Sequence, residues 1–414
     1  MKKDYTILVP NMLPIHFKLI ISVLETYGYN MELLDYAGPE VAETGLKYTH
    51  NDTCYPAILV VGQFIHALKS GKYDPHKTAL IMFQTGGGCR ASNYISLIRK
   101  ALEKAGYGYV PVISFSMAGI ERHPGFHLSI KKMYSMLYAV LYGDLIMSLV
   151  NQTKPYEAVK GTADSLAALW TERLGRQLGS GAVVRYSKIK ETYKKIIKDF
   201  DGIPIKKRDA VKVGIVGEIY VKYSPLANNS LEQMLIDEGA EPVVPGLLDF
   251  CLYIVNNVFV EYRIYGRKKL LYPFARIAYK VLCDKKDYIS RLVKKFSNFN
   301  PWVSFDKTVK LAEKLISTAV KMGEGWLLTG EMLELAESGC TNIVCTQPFG
   351  CLPNHICGKG MMKPLKEYNP NINVIAIDYD AGASRVNQEN RIKLMLFNAL
   401  RTQKTESVKE LITT

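Results

Sequence analysis

The chain has 414 residues, with 48% hydrophobic and 22% charged residues and a formal net charge of +14. That length suits two or three domains with ample core, since single domains usually run to about 100–200 residues, and the fractions are those of a globular chain. Eight cysteines are too few for a disulfide scaffold, so metal binding or catalysis is the better default for them.

The charge is local. Residues 185–208 hold nine Lys/Arg against three acids, and residues 261–300 hold eleven against three, which together account for the whole excess. Two solvated basic helical segments would explain this. So would docking of an acidic partner or of a phosphorylated, CoA-like substrate. Neither stretch interleaves aromatics with base-reading residues, so no nucleic acid partner is expected. The apolar stretches 133–150 and 243–260 are interrupted by Asp144, and by Asp249, Asn256 and Asn257. Neither reads as a clean span, and no membrane partner is expected. The apolar run 5–10 is too short for a signal peptide, so a cytoplasmic location is expected.

The first third alternates strand and helix. Thr6–Val9 reads as a strand, Ile15–Tyr27 as a helix and Met31–Leu34 as a second strand. The segment Tyr55–Ser70 carries Ile58, Val61, Phe64, Ile65 and Leu68 on one face, with Pro56 in its first turn, where a missing N–H costs little. Thr78–Phe83 is a buried strand, followed by a glycine loop, the helix Ala91–Ala105 and the strand Tyr109–Phe115. This rhythm predicts a mostly parallel, doubly wound sheet in an N-terminal α/β domain, 1–125.

Residues 126–208 read as a helical linker region. A second α/β domain, 209–400, opens with the strand Val211–Val216, a helix Ser230–Glu238 with capping-box spacing at Ser230 and Gln233, and a strand near Pro242–Val244. Residues 247–323 read as a helical insertion. The pattern resumes with the helix Thr329–Ser338, the strand Thr341–Val344, the helix Gly358–Tyr368 and the strand Asn373–Ile377. A last helix covers Val386–Leu400, and 401–414 reads as a loose polar tail.

Cys54, Cys89, Cys345 and Cys351 lie in turn-like, glycine- or proline-flanked segments that each join a strand to a helix. Ligands of open α/β sheets sit outside the strand carboxyl ends, where helix N-termini offer free N–H groups and partial positive charge. Both favour thiolates and an anionic iron–sulfur cluster. Gly86, Gly87 and Gly88 would let the backbone approach a bulky ligand. The alternative for each cysteine is burial as a small hydrophobe, and zinc is the competing metal, although a CxxC pair is lacking. Cys340 and Cys345 flank one strand, about 16 Å apart at 3.3 Å per residue, so both cannot bind one small cluster. Cys251 and Cys283 read as packing residues, and Cys357 as a neighbour of the site. Glu218, ending a strand, is a candidate to reach a ligand in the interdomain cleft, and Asn354 and His355 are candidate donors to a substrate. There is no GxxxxGK[ST] or GxGxxG loop, so an internal ATPase or dinucleotide-dependent engine is not expected.

The stretches 51–63, 84–94, 245–250 and 345–360 resemble the 2-hydroxyacyl-CoA dehydratase superfamily, most closely the C-terminal domain of acyl-CoA dehydratase activase-related proteins, over nearly the whole chain. The resemblance implies two flavodoxin/Rossmann-like domains with a [4Fe–4S] cluster between them, or in some members a double-cubane [8Fe–9S] cluster. It implies Cys54, Cys89 and Cys351 as ligands and Cys345 as the fourth ligand or a neighbouring thiol. Beside them, Gln347 and Asn354 are expected near the cofactor, and Glu218 and His355 in catalytic positions, from the loops they occupy. A single [4Fe–4S] cluster is the expectation. The ATPase modules that precede this domain in relatives are missing here, so electrons are expected from a separate ATP-hydrolysing iron–sulfur activase. The substrate would be a small molecule, such as a CoA thioester, to be reduced or dehydrated, and a homodimer could supply further ligands. The alternatives are a cluster-carrying electron-transfer or assembly subunit without its own substrate, and a zinc-stabilised α/β binding protein.

Overall fold

The protein is known from a computed structural model, in which residues 4–50, 52–84, 88–115, 129–180, 185–206 and 209–413 are described. Its first sheet contains β1 (Thr6–Pro10), β2 (Asn30–Leu34), β3 (Thr78–Phe83) and β4 (Val112–Phe115), in the order β2-β1-β3-β4. A second sheet, of β5 (Lys212–Gly217), β6 (Glu241–Val243), β7 (Asn342–Pro348) and β8 (Asn373–Tyr379), repeats that order as β6-β5-β7-β8. Every pairing is parallel, as strands built from near-continuous apolar runs and joined by helices require. The chain therefore has the expected α/β architecture with two Rossmann-like units.

With the first sheet go α1 (Pro14–Glu25), α2 (Pro39–Tyr48), α3 (Tyr55–Lys69) and α4 (Tyr94–Ala105). A helical run follows: α5 (Ile130–Thr153), α6 (Thr162–Gly179) and α7 (Tyr186–Asp201). The second unit adds α8 (Ile219–Tyr223), α9 (Pro225–Asn228) and α10 (Leu231–Asp237), then the inserted α11 (Leu247–Tyr265), α12 (Tyr272–Phe296) and α13 (Phe305–Ala312). It closes with α14 (Trp326–Glu337), α15 (Leu352–Cys357), α16 (Met362–Tyr368) and α17 (Arg385–Thr413).

One apolar cluster joins both sheets, from Leu8, Leu59, Phe64 and Leu80 to Val213, Ile215, Val344 and Ile377. The Gln63 Nε2 amide of α3 donates to the Tyr220 hydroxyl of α8 within the same contact, at 2.5 Å. A second cluster merges the helical linker with the insertion: Tyr142, Leu174 and Phe200 pack with Leu252 and Ile289, and Leu19 of α1 and Trp326 of α14 join them. Linker and insertion are thus one helical body beside the sheets. Among the described residues one helical stretch, Lys131–Thr153, is long and apolar enough to cross a bilayer, and its apolar window is 61% buried. Asp144 on that helix is used inside the protein. Its carboxylate accepts from Leu247 N and Leu248 N at 2.7 and 2.9 Å and pairs with His16 Nε2 at 2.8 Å.

Several element ends differ from expectation. β7 runs on to Pro348 because its partner β8 continues alongside, through Pro348↔Tyr379. Ser230 sits at φ +58 and makes no side-chain cap; Asn228 Oδ1 caps α10 instead, accepting from Leu231 N at 3.1 Å. The expected helix Gly358–Tyr368 is split, with a 3₁₀ turn Lys359–Met361 ahead of α16. α17 continues to Thr413 rather than ending in a loose tail. α2 has no clear apolar period to announce it, since Val41 and Gly45 are its buried positions.

Candidate metal centre

Cys54, Cys89 and Cys351 share one local design: each is the residue immediately before a helical segment. Cys54 precedes α3, Cys89 a 3₁₀ turn Arg90–Asn93, and Cys351 α15. Cys54-Tyr55-Pro56 and Cys351-Leu352-Pro353 place proline where its missing N–H costs little. The Ala91 N–H reaches Cys89 Sγ at 3.5 Å; the Ala57 and Asn354 N–H groups lie near the Cys54 and Cys351 sulfurs and lower their thiols somewhat, although Ala57 N also donates to Cys54 O at 3.0 Å. Free helix N–H groups of this kind favour a thiolate or a sulfur-rich anion.

One side-chain and one main-chain hydrogen bond tie the three loops together. The Arg90 guanidinium donates to Asp52 O, joining the Cys89 loop to the Cys54 loop. Tyr55 N donates to Phe349 O at 3.3 Å, joining the Cys54 loop to the Cys351 loop. Gly350 makes that second approach feasible: its φ is +75, and an added Cβ would lie 3.4 Å from Cys54 Cα. The equivalence of the two sheets explains the arrangement. Cys89 follows β3 and Cys351 follows β7, the strands in corresponding positions of the repeated order.

Two carboxyl groups join this set. Glu218 stands at the start of α8, its Oε2 accepting from Val221 N at 2.9 Å. Glu324 Oε1 accepts from Ile219 N at 3.0 Å. Burial pushes Glu218 up to about 8, and the neighbouring Glu324 raises it further; burial likewise raises Glu324. Burial pushes the Cys89 thiol up to about 12, with Glu324 and Glu218 adding to the effect. Cys54 and Cys351 are raised by burial too, although a contact from the Tyr94 hydroxyl to Cys54 Sγ, at 3.3 Å, works the other way. Among the described residues, the positive charges reaching this group are Arg90, bonded to Asp52 O, and Lys222, paired with Glu331 at 3.1 Å. Burial thus favours the protonated form of all three thiols and both carboxyls. A metal centre displaces such protons and supplies the charge, so the donor set fits one.

No three His, Cys, Asp or Glu side chains among the described residues gather closely enough to hold a single ion. Ligands of one tetrahedral zinc stand about 3.8 Å apart, from bonds of about 2.3 Å. A polynuclear cluster puts a separate iron at each thiolate and spreads its ligands wider.

The other expected residues lie elsewhere or act differently. Cys345 is in the middle of β7 rather than after it, fully buried with Ile343, Met332 and Cys357. Its thiol donates to Asn354 Oδ1 at 3.7 Å, and its charged neighbours are Asp378, Glu331 and Lys359 rather than the three cysteines. The added strand length turns it into the sheet–helix core. Asn354 is fully buried, and its amide donates to Thr346 O at 3.1 Å; it clamps β7 to α15 instead of facing a substrate. His355 is exposed and bonded to the buried Gln347. Cys357 is buried in the same core as Cys345, and its carbonyl accepts from Thr329 Oγ1 at 2.8 Å. Gly86 and Gly87 lie outside the described residues, whereas an added Cβ on Gly88 would meet Met322 Cε at 2.1 Å. The space beside Gly88 thus belongs to a side chain of the 318–325 segment.

Sequence reasoning missed Glu324, Met322 and Tyr94. Glu324 was masked by its place at the edge of a helical insertion. The Gly323-Glu324-Gly325 pattern could have revealed it, since both glycines adopt positive φ, +58 and +49. No protein-family model matches the chain, and no curated protein matches it in sequence.

Proposed function

We propose that the protein is an iron–sulfur redox protein of the 2-hydroxyacyl-CoA dehydratase type, with a cluster held by Cys54, Cys89 and Cys351. The observation carrying this reading is the bonding of three cysteine-bearing loops to one another, from two sheets, beside two buried acids, Glu218 and Glu324. When bound, a low-potential cluster supplies single electrons to a substrate, with a potential set by thiolate ligation, burial and N–H···S bonds.

The chain's own residues then have definite tasks. The Ala91 N–H orients the Cys89 sulfur, and the Ala57 and Asn354 N–H groups favour the thiolate forms of Cys54 and Cys351. Glu218 Oε2 accepts from Val221 N at 2.9 Å, and burial pushes the carboxyl up to about 8. A carboxylic acid kept protonated near neutral pH is suited to give that proton to a leaving or reduced oxygen. Tyr94, buried against Cys54 Sγ at 3.3 Å, fills space beside the cysteines and limits water there. Electrons would come from a separate ATP-hydrolysing activase, and the substrate would be a small molecule such as a CoA thioester. His355, exposed on α15, is not assigned a catalytic task in this reading.

Iron and acid-labile sulfide counted after anaerobic purification test the proposal, with an EPR spectrum of the reduced protein. About four irons per chain are expected for a single [4Fe–4S] centre; about eight would indicate the double cubane. Cys351→Ser should lose most of that iron and Cys345→Ser should keep it. A colourless, zinc-loaded protein overturns the proposal, and loss of iron in Cys345→Ser alone overturns the ligand assignment.

A further inference from the structure

The two sequence stretches that carry the whole positive charge lie apart in the chain but form one surface. α7 packs on α12. Lys190 lies over the rings of Tyr186 and Tyr288, Lys194 and Lys198 over Phe296, and Lys285 over Tyr186. It is the ammonium groups themselves that lie over the ring faces, at 4.5–5.6 Å from the centroids, so the positive charge is gathered along the line where the two helices meet. α12 has 25 residues and is about 37 Å long at 1.5 Å per residue, so this basic face is extended.

At its far end, the α11–α12 hairpin leaves the body of the protein. α12 is apolar on two sides there. Ala275, Ile289, Leu292 and Val293 face the helical core. On the other side Leu270, Phe274 and Ile277 are 87%, 70% and 65% exposed, with Leu271 and Val281 beside them. Residues 262–281 contain six Lys/Arg and no acid. Glu261, at the base, is taken by Lys321, and Arg263 reaches Glu313 at 3.8 Å. Tyr262, Tyr265 and Tyr272 stand around the apolar tip.

We propose that this tip and the basic face behind it dock the protein on an anionic lipid surface. The proposal is independent of the metal centre, and it revises the expectation that no membrane partner exists. A second copy of the chain is a poor occupant, because each tip carries the same dense positive charge. Nucleic acid would match the charge but leave the exposed leucines and phenylalanine in water. An anionic bilayer satisfies both features: lysines and arginines meet the headgroups while the apolar side chains enter the acyl boundary. Tyrosines suit the level between the two. The contact is peripheral, since α12 continues into the core of the protein.

Co-sedimentation of the full chain with vesicles tests this directly, comparing pure phosphatidylcholine with phosphatidylcholine containing about one third phosphatidylglycerol. Binding is expected on the anionic vesicles and not on the neutral ones. Leu270→Ser/Phe274→Ser should reduce the bound fraction about tenfold, and so should Lys268→Glu/Lys269→Glu. All four side chains are exposed, so both variants should keep the thermal midpoint of the parent, which checks their folding. Absence of binding to anionic vesicles overturns the proposal. Retention on poly-glutamate beads equal to that on vesicles, unaffected by the apolar variant, also overturns it and points to an acidic protein as the occupant.

Discussion

Burial raises all three thiols of the trio, and Glu218 adds to the effect at each of them, with Glu324 joining it at Cys89 and Cys351. Glu218 expresses the same effect in a measurable form. Its folded-state value lies near 8, above the ordinary 4.5, so between those values the folded chain keeps a proton that the unfolded chain has lost. Stability of the metal-free protein should therefore fall as pH rises from about 4.5 to 8. Glu324 is shifted in the same direction, so Glu218→Gln should flatten this slope without removing it. Urea midpoints of the metal-free parent and variant, taken from pH 5 to 8, check the outcome; identical slopes would count against Glu218 as the titrating group.

At the scale of elements, α8 is short and cannot hold its position by itself. It is anchored by Lys222, whose ammonium is buried and bonded to Glu331 of α14 at 3.1 and 3.3 Å. That bridge sets where Glu218 stands, four residues earlier. Removing one partner of a buried pair leaves an uncompensated charge and costs about 3–5 kcal/mol. Glu331→Gln should therefore destabilise the protein by that order in urea unfolding. The double variant Lys222→Met/Glu331→Leu should recover most of it, because replacing both partners by apolar groups is often neutral. A double variant as unstable as the single one would mean that the pair is not the source.

Over the whole molecule, the metal-binding residues proposed here come from both sheets: Cys54 and Cys89 from the first unit and Cys351 from the second. A group bound by all three would link the units in addition to their shared apolar core. Stripping iron with a chelator should then lower the thermal midpoint, with a loss of about 4 kcal/mol for a group present at a thousand times its Kd. In Cys351→Ser the same treatment should have little effect. An equal loss in parent and variant would place the stabilising group elsewhere.

The amino-acid sequence alone determined the α/β class, the order of the strands, and the places of Cys54 and Cys89 at helix starts, because those features rest on local periodicity and on proline and glycine chemistry. Cys351 was singled out by the resemblance, and α2, α8 and α9 were not legible. β3 was legible from end to end, and Pro56 marked the start of α3 correctly. Only the tertiary structure decided that Cys345 faces the core, since the end of β7 is set by pairing with β8 rather than by its own residues. It also decided that Glu324 stands beside Glu218, 106 positions away in a sequence that carries no record of that contact. The two basic segments became one face for the same reason: local composition records charge, whereas packing of α7 against α12 places it.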